Sequence, residues 1–392
     1  MNSRLVMKSI MVLVLLCIST TTAAGGHPKD RACIDFNAAD HAGIDDFFVC
    51  PSDGVAGVAC QESYLAKPQG TSSRVPANVQ LNETVIYVLL GPKSKVDAFR
   101  WWLPLITQPV DIVLVMDACV ENGVKRGNSS LELIHKHGLT QDNGLATFLE
   151  CDNFVHKLIE ELPKKVKKVV NFYAAHVHPE DETYQKLSCK VGTAMKEIYR
   201  AFPEKRYYLK IDTDTIIFPG RLLHFLSSLE SVHAGGVPDG TSPTQSSHPI
   251  YFGTVVESGM NLLLCANHRE WKHYGNVKKG GLCYAQGGAG YGLNNKAMAA
   301  ISSSPSCSDP ARVTQDEFLA NEDAWTGMSM QRLFNLSVIH CGAFSSSELA
   351  PDHKLRHSIS FHYIDANWLR SYGETALKHY YAKYRHSEEG GR

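Results

Sequence analysis

The sequence lacks several features that would assign a function directly. It contains no Cys-x-x-Cys pair, which argues against a zinc ribbon or a dithiol redox centre, and no Walker or Gly-x-Gly-x-x-Gly loop for a nucleotide phosphate. Its formal net charge of -1 argues against a nucleic-acid-binding protein. It also has no low-complexity tract, and its 44% hydrophobic and 20% charged residues are typical of a globular protein.

A long apolar run is missing too. Arg4 and Lys8 precede a short apolar run over residues 10–18, and small residues follow up to Ala24, which is the layout of a secretory signal. The run is shorter than the about 20 apolar residues of a membrane span. We therefore favour a cleaved signal peptide over residues 1–24, with a weak signal anchor as the alternative, and expect the protein in the endoplasmic reticulum or Golgi lumen or secreted.

The cysteines agree with this expectation. When Cys17 is counted with the signal, ten of the 11 cysteines remain, an even number that fits disulfides formed in an oxidising compartment. Asn-x-Ser/Thr sequons at Asn82, Asn128 and Asn335 would be available for glycosylation there.

Apolar strands and helices alternate through most of the chain. Residues 25–82 have no regular period and are interpreted as a stem, residues 83–385 as one catalytic domain, and residues 386–392 as a tail. We predict strands at 84–91, 111–118, 166–173 and 206–211, and helices at 95–103, 145–162, 184–202, 221–229, 295–302 and 324–333. The alternation indicates an α/β fold with a mainly parallel sheet covered on both faces, which binds ligands at the carboxyl ends of its strands. The lysine cluster at 164–168 is interpreted as a solvated turn between a helix and a strand.

Carboxylates follow two of these strands. Asp212-Thr213-Asp214 comes directly after the strand at 206–211, and Asp117 ends the strand at 111–118. Two acids separated by one residue point to the same side of an extended chain, and their oxygens suit Mg²⁺ or Mn²⁺ bound to substrate phosphates. The motif alone is common and often only decorates a loop. Its fixed position at a strand end favours a metal site, because two like charges there require a compensating cation.

Three further motifs have both a structural and a functional interpretation. Gly287-Gly288-Ala289 is a turn before a helix, or a place where the backbone approaches a ligand closely. Glu322 and Asp323 open a helix, where the helix dipole favours acids whether or not they are catalytic. His362 alone would most simply be a core or surface residue. None of these motifs decides the function by itself.

In this order, however, the motifs resemble glycosyltransferase family 31, the inverting β-1,3-glycosyltransferases that include Fringe and the core 1 β-1,3-galactosyltransferase. The resemblance spans roughly residues 84–365, with two motifs closest to the core 1 branch. The matching stretches are YYLKIDTDT (207–215), HPIYFG (248–253), YAQGGAGYGL (284–293), NEDAWTG (321–327) and SFHYID (360–365). It implies a GT-A fold, that is, a Rossmann-like mixed sheet with helices on both faces. It also implies a UDP-sugar donor, Mn²⁺ or Mg²⁺, and a glycan or glycoprotein acceptor such as N-acetylgalactosamine.

The resemblance also implies roles for individual residues. The implied metal ligands are Asp212, Asp214 and His362, and Asp212 would also lie near the donor ribose. The implied general base is Asp323, with Glu322 as its neighbour. The donor and acceptor pocket would be formed by Gly287, Gly288 and Ala289, with Lys190 and Asp117 as further donor-binding residues. Thr213 replaces the middle acid of the usual Asp-Asp-Asp triplet, which preserves both outer carboxylates but leaves open the donor contact of that acid.

Two other functions stay open at this point. A non-catalytic chaperone or sugar-binding relative would be expected to have lost the metal carboxylates or the base, whereas this chain keeps them. A nucleotide-sugar hydrolase would release sugar without an acceptor. No nucleic-acid partner is expected, and any membrane anchoring would be at the N-terminus.

Overall fold

The computed structural model describes residues 79–90, 96–117, 119–121, 124–126, 131–136, 153–177, 187–233, 248–255, 284–303, 322–334, 336, 338–345 and 352–389. The predictions for the signal peptide, for most of the stem, for residues 145–152 and for the sequons at Asn128 and Asn335 lie outside these residues. Within them, no helix combines the length and the apolar character that crossing a membrane requires.

The strands of the described residues are β1 (Thr84–Leu89), β2 (Val110–Asp117), β3 (Cys119–Glu121), β4 (Val124–Arg126), β5 (Leu131–His135), β6 (Val170–Val177), β7 (Tyr207–Asp212), β8 (Ile216–Ile217), β9 (Tyr251–Gly253), β10 (Tyr291–Asn294), β11 (Ile339–His340), β12 (Phe344–Ser345) and β13 (Ser360–Phe361). The α-helices are α1 (Asp97–Trp102), α2 (Asn153–Glu160), α3 (Lys164–Lys167), α4 (Leu187–Ala201), α5 (Pro219–His233), α6 (Asn295–Ser302), α7 (Glu322–Phe334), α8 (Asp352–His357), α9 (Ala366–Trp368) and α10 (Glu374–Glu389). Short 3₁₀ turns cover Leu81–Glu83 and Leu103–Leu105, and a π-helical turn covers Leu369–Gly373.

The main sheet has eight strands in the order β11-β9-β10-β7-β1-β2-β6-β5. The four central strands β7, β1, β2 and β6 run parallel to one another. β5 is antiparallel to β6, and β10 is antiparallel to β7 and β9. The structure thus confirms the predicted α/β fold with a Rossmann-like mixed sheet, of the kind found in GT-A glycosyltransferases.

The strand order reverses beside β1. From β1 the chain proceeds outward to β2 and β6, and it then returns to place β7 on the opposite side of β1. In open α/β sheets, ligands bind in the crevice outside the carboxyl ends of the strands at such a switch point. Asp212 is the last residue of β7, and Leu90 directly follows β1. The structure therefore confirms that the Asp212 motif lies at the carboxyl end of a central strand, beside the switch point.

The core has one hydrophobic cluster on each face of the sheet. Alternate residues of β1 divide between them, with Ile86 in the first cluster and Val85 in the second. α1 and α5 contribute to the first cluster, whereas α4, α6 and α7 contribute to the second. Burial on both faces explains why the central strands read as continuous apolar runs in the sequence.

The strand predicted at 166–173 is wrong at its start. Lys164–Lys167 form α3, whose first hydrogen bonds run from the amides of Val166 and Lys167 to the carbonyl of Pro163. Pro163 favours a helical start because its φ is fixed, here at -56°. β6 consequently begins at Val170, while Val166 is buried within α3. The lysines at 164, 165 and 168 are exposed, which confirms that the cluster is solvated, although residues 164–167 form a short helix rather than a turn.

Candidate functional site

Asp212 and Asp214 lie together at the carboxyl end of β7. The amide of Thr215 donates to the Asp212 carbonyl at 3.2 Å and closes the turn between β7 and β8. Thr213 is buried, whereas the side chains of Asp212 and Asp214 are 30% and 34% exposed. The two carboxylates therefore face the same open side, as their spacing predicts.

A second, three-stranded sheet brings His362 to these acids. β13 pairs with β8 in an antiparallel fashion and with β12 in parallel. The His362 amide donates to the Ser345 carbonyl at 2.9 Å, and the Ile364 amide donates to the Asp214 carbonyl at 2.9 Å. As a result, His362 Nε2 lies 3.2 Å from Asp214 Oδ1 and 3.9 Å from Asp212 Oδ2. The structure thus brings together the three predicted metal ligands, Asp212, Asp214 and His362.

This set fits a divalent metal ion. One ligand atom from each of Asp212, Asp214 and His362 lies within 4.8 Å of the others. Two carboxylates and an imidazole are donors that Mn²⁺ accepts. Burial raises the pKa of Asp214, but the hydrogen bond and charge of His362 outweigh it, so the pKa lies below its ordinary value. The carboxylate is thus ionised and available to a cation at neutral pH.

The glycine turn separates His362 from the helix that carries Glu322. A Cβ atom on Gly288 would lie 2.0 Å from His362 Cε1, and a Cβ atom on Gly287 would lie 2.1 Å from Glu322 Oε1. Thr215 Oγ1 donates to the Gly288 carbonyl at 2.6 Å, which fixes the turn to the end of β7. Side chains of the protein itself therefore explain why positions 287 and 288 are glycine. Ala289 is fully buried in the core.

Lys210 is a site residue that the motif analysis missed. Its ammonium is completely buried and lies 2.8 Å from Asp212 Oδ1 and 2.7 Å from Glu322 Oε1. Burial lowers the pKa of Lys210, but Asp212 and Glu322 outweigh burial and raise it, so the ammonium is charged. The signal was present in the sequence, since a lysine interrupts the apolar strand YYLKI at a spacing of two from Asp212.

Asp323 has a different environment from the metal-site acids. It lies in the first turn of α7, where Oδ2 accepts the amide N–H of Gly287 at 3.1 Å and Oδ1 accepts that of Ala324 at 2.7 Å. Burial, together with the charge of Glu322, raises the pKa of Asp323 to about 6. A carboxylate with such a pKa can accept a proton near neutral pH.

Lys190 and Asp117 form a neighbouring polar pair. The ammonium of Lys190, in α4, donates to Asp117 Oδ1 at 2.8 Å and to the Leu90 carbonyl at 2.5 Å. Asp117 ends β2 and Leu90 follows β1, so the pair lies along the same edge of the sheet as the metal-site acids. Among the described residues, the contacts of this pair connect the end of β1 to the end of β2 and do not reach Asp212, Asp214 or His362.

Comparison with known proteins identifies the part of the chain that carries most of these residues. The model of the galactosyltransferase family (Galactosyl_T) matches residues 177–333. This region includes the Asp212 motif, the glycine turn and the start of α7, whereas His362 lies beyond it. No curated protein matches the chain. The family match confirms the resemblance drawn from the order of the motifs.

Proposed function

Residues 177–333 are a galactosyltransferase-family region, and from this premise we propose that the protein is an inverting, metal-dependent enzyme. It would transfer galactose or an N-acetylhexosamine from a UDP-sugar to a hydroxyl group of a glycan or glycoprotein and form a β-1,3 linkage. Members of this family generally use a UDP-sugar and a divalent metal. One observation carries the proposal. The possible metal ligands Asp212, Asp214 and His362 lie on one side of the glycine turn, and the carboxylate of Asp323, whose pKa is raised, lies on the other.

The leaving-group side of the site consists of the three metal ligands. Asp212, Asp214 and His362 would hold Mn²⁺ at the carboxyl end of β7. When bound, the ion would act as a Lewis acid that neutralises the negative charge on the diphosphate of the departing UDP. Lys190 and Asp117, which lie along the same strand ends, would bind the donor nucleotide. Thr213 is buried and therefore leaves the donor contacts to its two neighbours.

The acceptor side depends on Asp323. In a single displacement, the acceptor oxygen forms a bond to the anomeric carbon while the bond from that carbon to the UDP oxygen breaks. UDP leaves with the bonding electron pair, and the proton of the acceptor hydroxyl passes to Asp323. The pKa of about 6 suits this role, because Asp323 is ionised at neutral pH yet basic enough to accept a proton in the transition state. Glu322 is bound to Lys210 and supports Asp323 rather than replacing it.

The direct test is a screen of UDP-sugars against a panel of acceptors with Mn²⁺, in which UDP release is measured with and without acceptor. We expect release that requires both an acceptor and the metal. Release that is independent of acceptor would instead identify a nucleotide-sugar hydrolase. Mn²⁺ and UDP binding without release from any donor would favour a non-catalytic relative. The product linkage and anomeric configuration can then be determined by NMR.

The proposal includes folding in the secretory pathway. Cys189, at the start of α4, is disulfide-bonded, which supports an oxidising compartment. Cys341 is a buried free thiol, so the ten cysteines beyond the signal do not all pair with one another as their even number suggested. Burial raises the pKa of Cys341 to about 12, which makes it unreactive in the folded protein. Expression with the complete N-terminus, followed by N-terminal sequencing of the mature chain, would distinguish a cleaved signal from an anchor.

A further inference from the structure

The two halves of the site are joined by a side chain that the proposed chemistry does not use. The metal-binding half is held by β7 and the small sheet, whereas Glu322 and Asp323 belong to α7. Lys210 extends from β7 on the face of the sheet that α7 covers, because it alternates with Leu209 and Ile211, which belong to the other face. Its ion pairs reach the metal-binding half at Asp212 and the α7 half at Glu322.

We propose that Lys210 is a positioning residue that fixes the metal-binding carboxylate and the start of α7 relative to each other. The inference rests on the proposed function, since it assumes that Asp212 holds the metal and that Asp323 accepts the proton. Lys210 itself would touch neither the substrate nor the metal.

On the metal side, Lys210 binds one carboxylate oxygen of Asp212 and leaves the other oxygen available to the metal. Oδ1 accepts from the ammonium at 2.8 Å, while Oδ2 is the oxygen that faces His362. A carboxylate that is free to rotate could offer either oxygen or both to a cation. With Oδ1 held, Asp212 presents a single oxygen to the metal in a fixed direction, which is how neighbouring contacts generally orient a metal ligand.

On the α7 side, Lys210 forms an ion pair with the buried carboxylate of Glu322. Glu322 is buried, its Oε1 accepts from Lys210, and a Cβ atom at Gly287 would collide with the same oxygen. Asp323 is the next residue and accepts the Gly287 amide. Moving Glu322 would therefore shift the base and the glycine turn together. A buried ion pair is a weak source of stability but constrains geometry, because each partner is strongly disfavoured without the other.

The experiment compares Lys210→Met with a matched control. Lys205→Met removes another largely buried lysine, whose Nζ lies 2.6 Å from Asp111 Oδ2 near the start of β2, away from the site. Mn²⁺ affinity is measured by electron paramagnetic resonance without any substrate. Removing a positive charge beside a cation site would by itself tighten Mn²⁺ binding. We expect Lys210→Met to weaken it by about tenfold or more, as loss of an orienting neighbour does, and Lys205→Met to leave it unchanged. Unchanged or tighter binding in Lys210→Met would overturn the proposal.

A second variant separates positioning from stability. Lys210→Met leaves Glu322 buried without its cation and is expected to lower the melting temperature. The double variant Lys210→Met/Glu322→Gln removes both charges and should recover much of that stability. If Lys210 positions the site, the double variant folds but still binds Mn²⁺ about tenfold or more weakly than the wild-type protein. Wild-type Mn²⁺ affinity in this variant would show that Lys210 is only structural. If Lys210→Met does not fold, the double variant carries the same test.

The two proposals fail in different ways. A wild-type protein that binds Mn²⁺ but transfers no sugar to any acceptor would refute the proposed transferase activity. The effect of Lys210 on Mn²⁺ affinity would still be measurable in that protein.

Discussion

The site contains two pairs of acids with opposite properties. Asp212 and Asp214 lie at a strand end, about a third exposed, and the pKa of Asp214 lies below its ordinary value. Glu322 and Asp323 lie at a helix start, with Glu322 buried and the pKa of Asp323 raised to about 6. The side chains are chemically alike, so their surroundings create the difference. Exposure and a histidine suit the first pair to holding a cation, whereas burial suits the second to moving a proton.

The largest effect should follow from removing a proposed metal ligand. We expect Asp214→Ala to abolish Mn²⁺ binding and to reduce Mn²⁺-dependent UDP release by about 10³-fold or more, because the metal supplies several kcal/mol to the transition state. Electron paramagnetic resonance and a UDP-release assay measure the two effects. If transfer survives in Asp214→Ala at the wild-type metal concentration, the assignment of the first pair is wrong.

Substituting Asp323, the proposed base, should impair proton transfer and leave the metal-binding half intact. Asp323→Asn is expected to lower kcat by about 10²- to 10³-fold, since it removes general-base catalysis. Binding of Mn²⁺ and UDP, followed by calorimetry, should remain close to wild type. In the wild-type enzyme, kcat should fall about tenfold per pH unit below pH 6, as Asp323 becomes protonated. Mn²⁺ affinity measured at each pH controls for titration of the metal site. Loss of donor affinity in Asp323→Asn would count against its role as the base.

Glycine-to-alanine substitutions in the turn can disturb the metal-binding half and the α7 half of the site separately. Gly288→Ala should displace His362, with which its new Cβ atom would collide at 2.0 Å, and weaken Mn²⁺ binding by about 10- to 100-fold. Gly287→Ala should instead displace Glu322, at 2.1 Å, and lower kcat with a smaller change in Mn²⁺ affinity. Equal effects of both variants on both quantities would show that the two halves are not separable.

A smaller effect is expected from the pair beside the metal group. Asp117→Asn removes the charge that holds the Lys190 ammonium, at 2.8 Å, and should weaken UDP binding by about tenfold. Calorimetry with UDP in the presence of saturating Mn²⁺ measures this directly. The affinity for Mn²⁺ alone serves as the control and should not change. An unchanged affinity for UDP would remove Lys190 and Asp117 from the donor site.

The raised pKa of Asp323 also predicts a small effect on stability. Its pKa is about 6 in the folded protein against an ordinary value of 3.8, so the folded state holds the proton more tightly. Asp323 therefore favours folding below about pH 4 and loses that contribution as the pH rises towards 6. Asp323→Asn, which is always neutral, should gain thermal stability relative to wild type at pH 7.5 and little at pH 4. A melting temperature lowered equally at both pH values would contradict the buried environment.

Much of this protein follows from local sequence. Alternating apolar strands and helices predicted the α/β fold, because both faces of the central strands are buried. The spacing of Asp212 and Asp214 predicted that they face one side, and the order of the motifs predicted the family that matches residues 177–333. The errors, such as the start of β6, lie at element boundaries, where Pro163 and a buried Val166 decide between a helical turn and a strand.

The tertiary structure decided how these pieces combine. His362 lies beyond the matched region and reaches Asp214 only because β13 pairs with β8. Lys210 meets Glu322 only because α7 covers the face of β7 to which that lysine points. The glycines at 287 and 288, and the raised pKa of Asp323, depend on side chains that are remote in sequence. Local spacing determines which way a side chain points, whereas strand register and helix packing determine which groups it contacts. The pKa of a side chain depends on those contacts, so it cannot be predicted from local sequence.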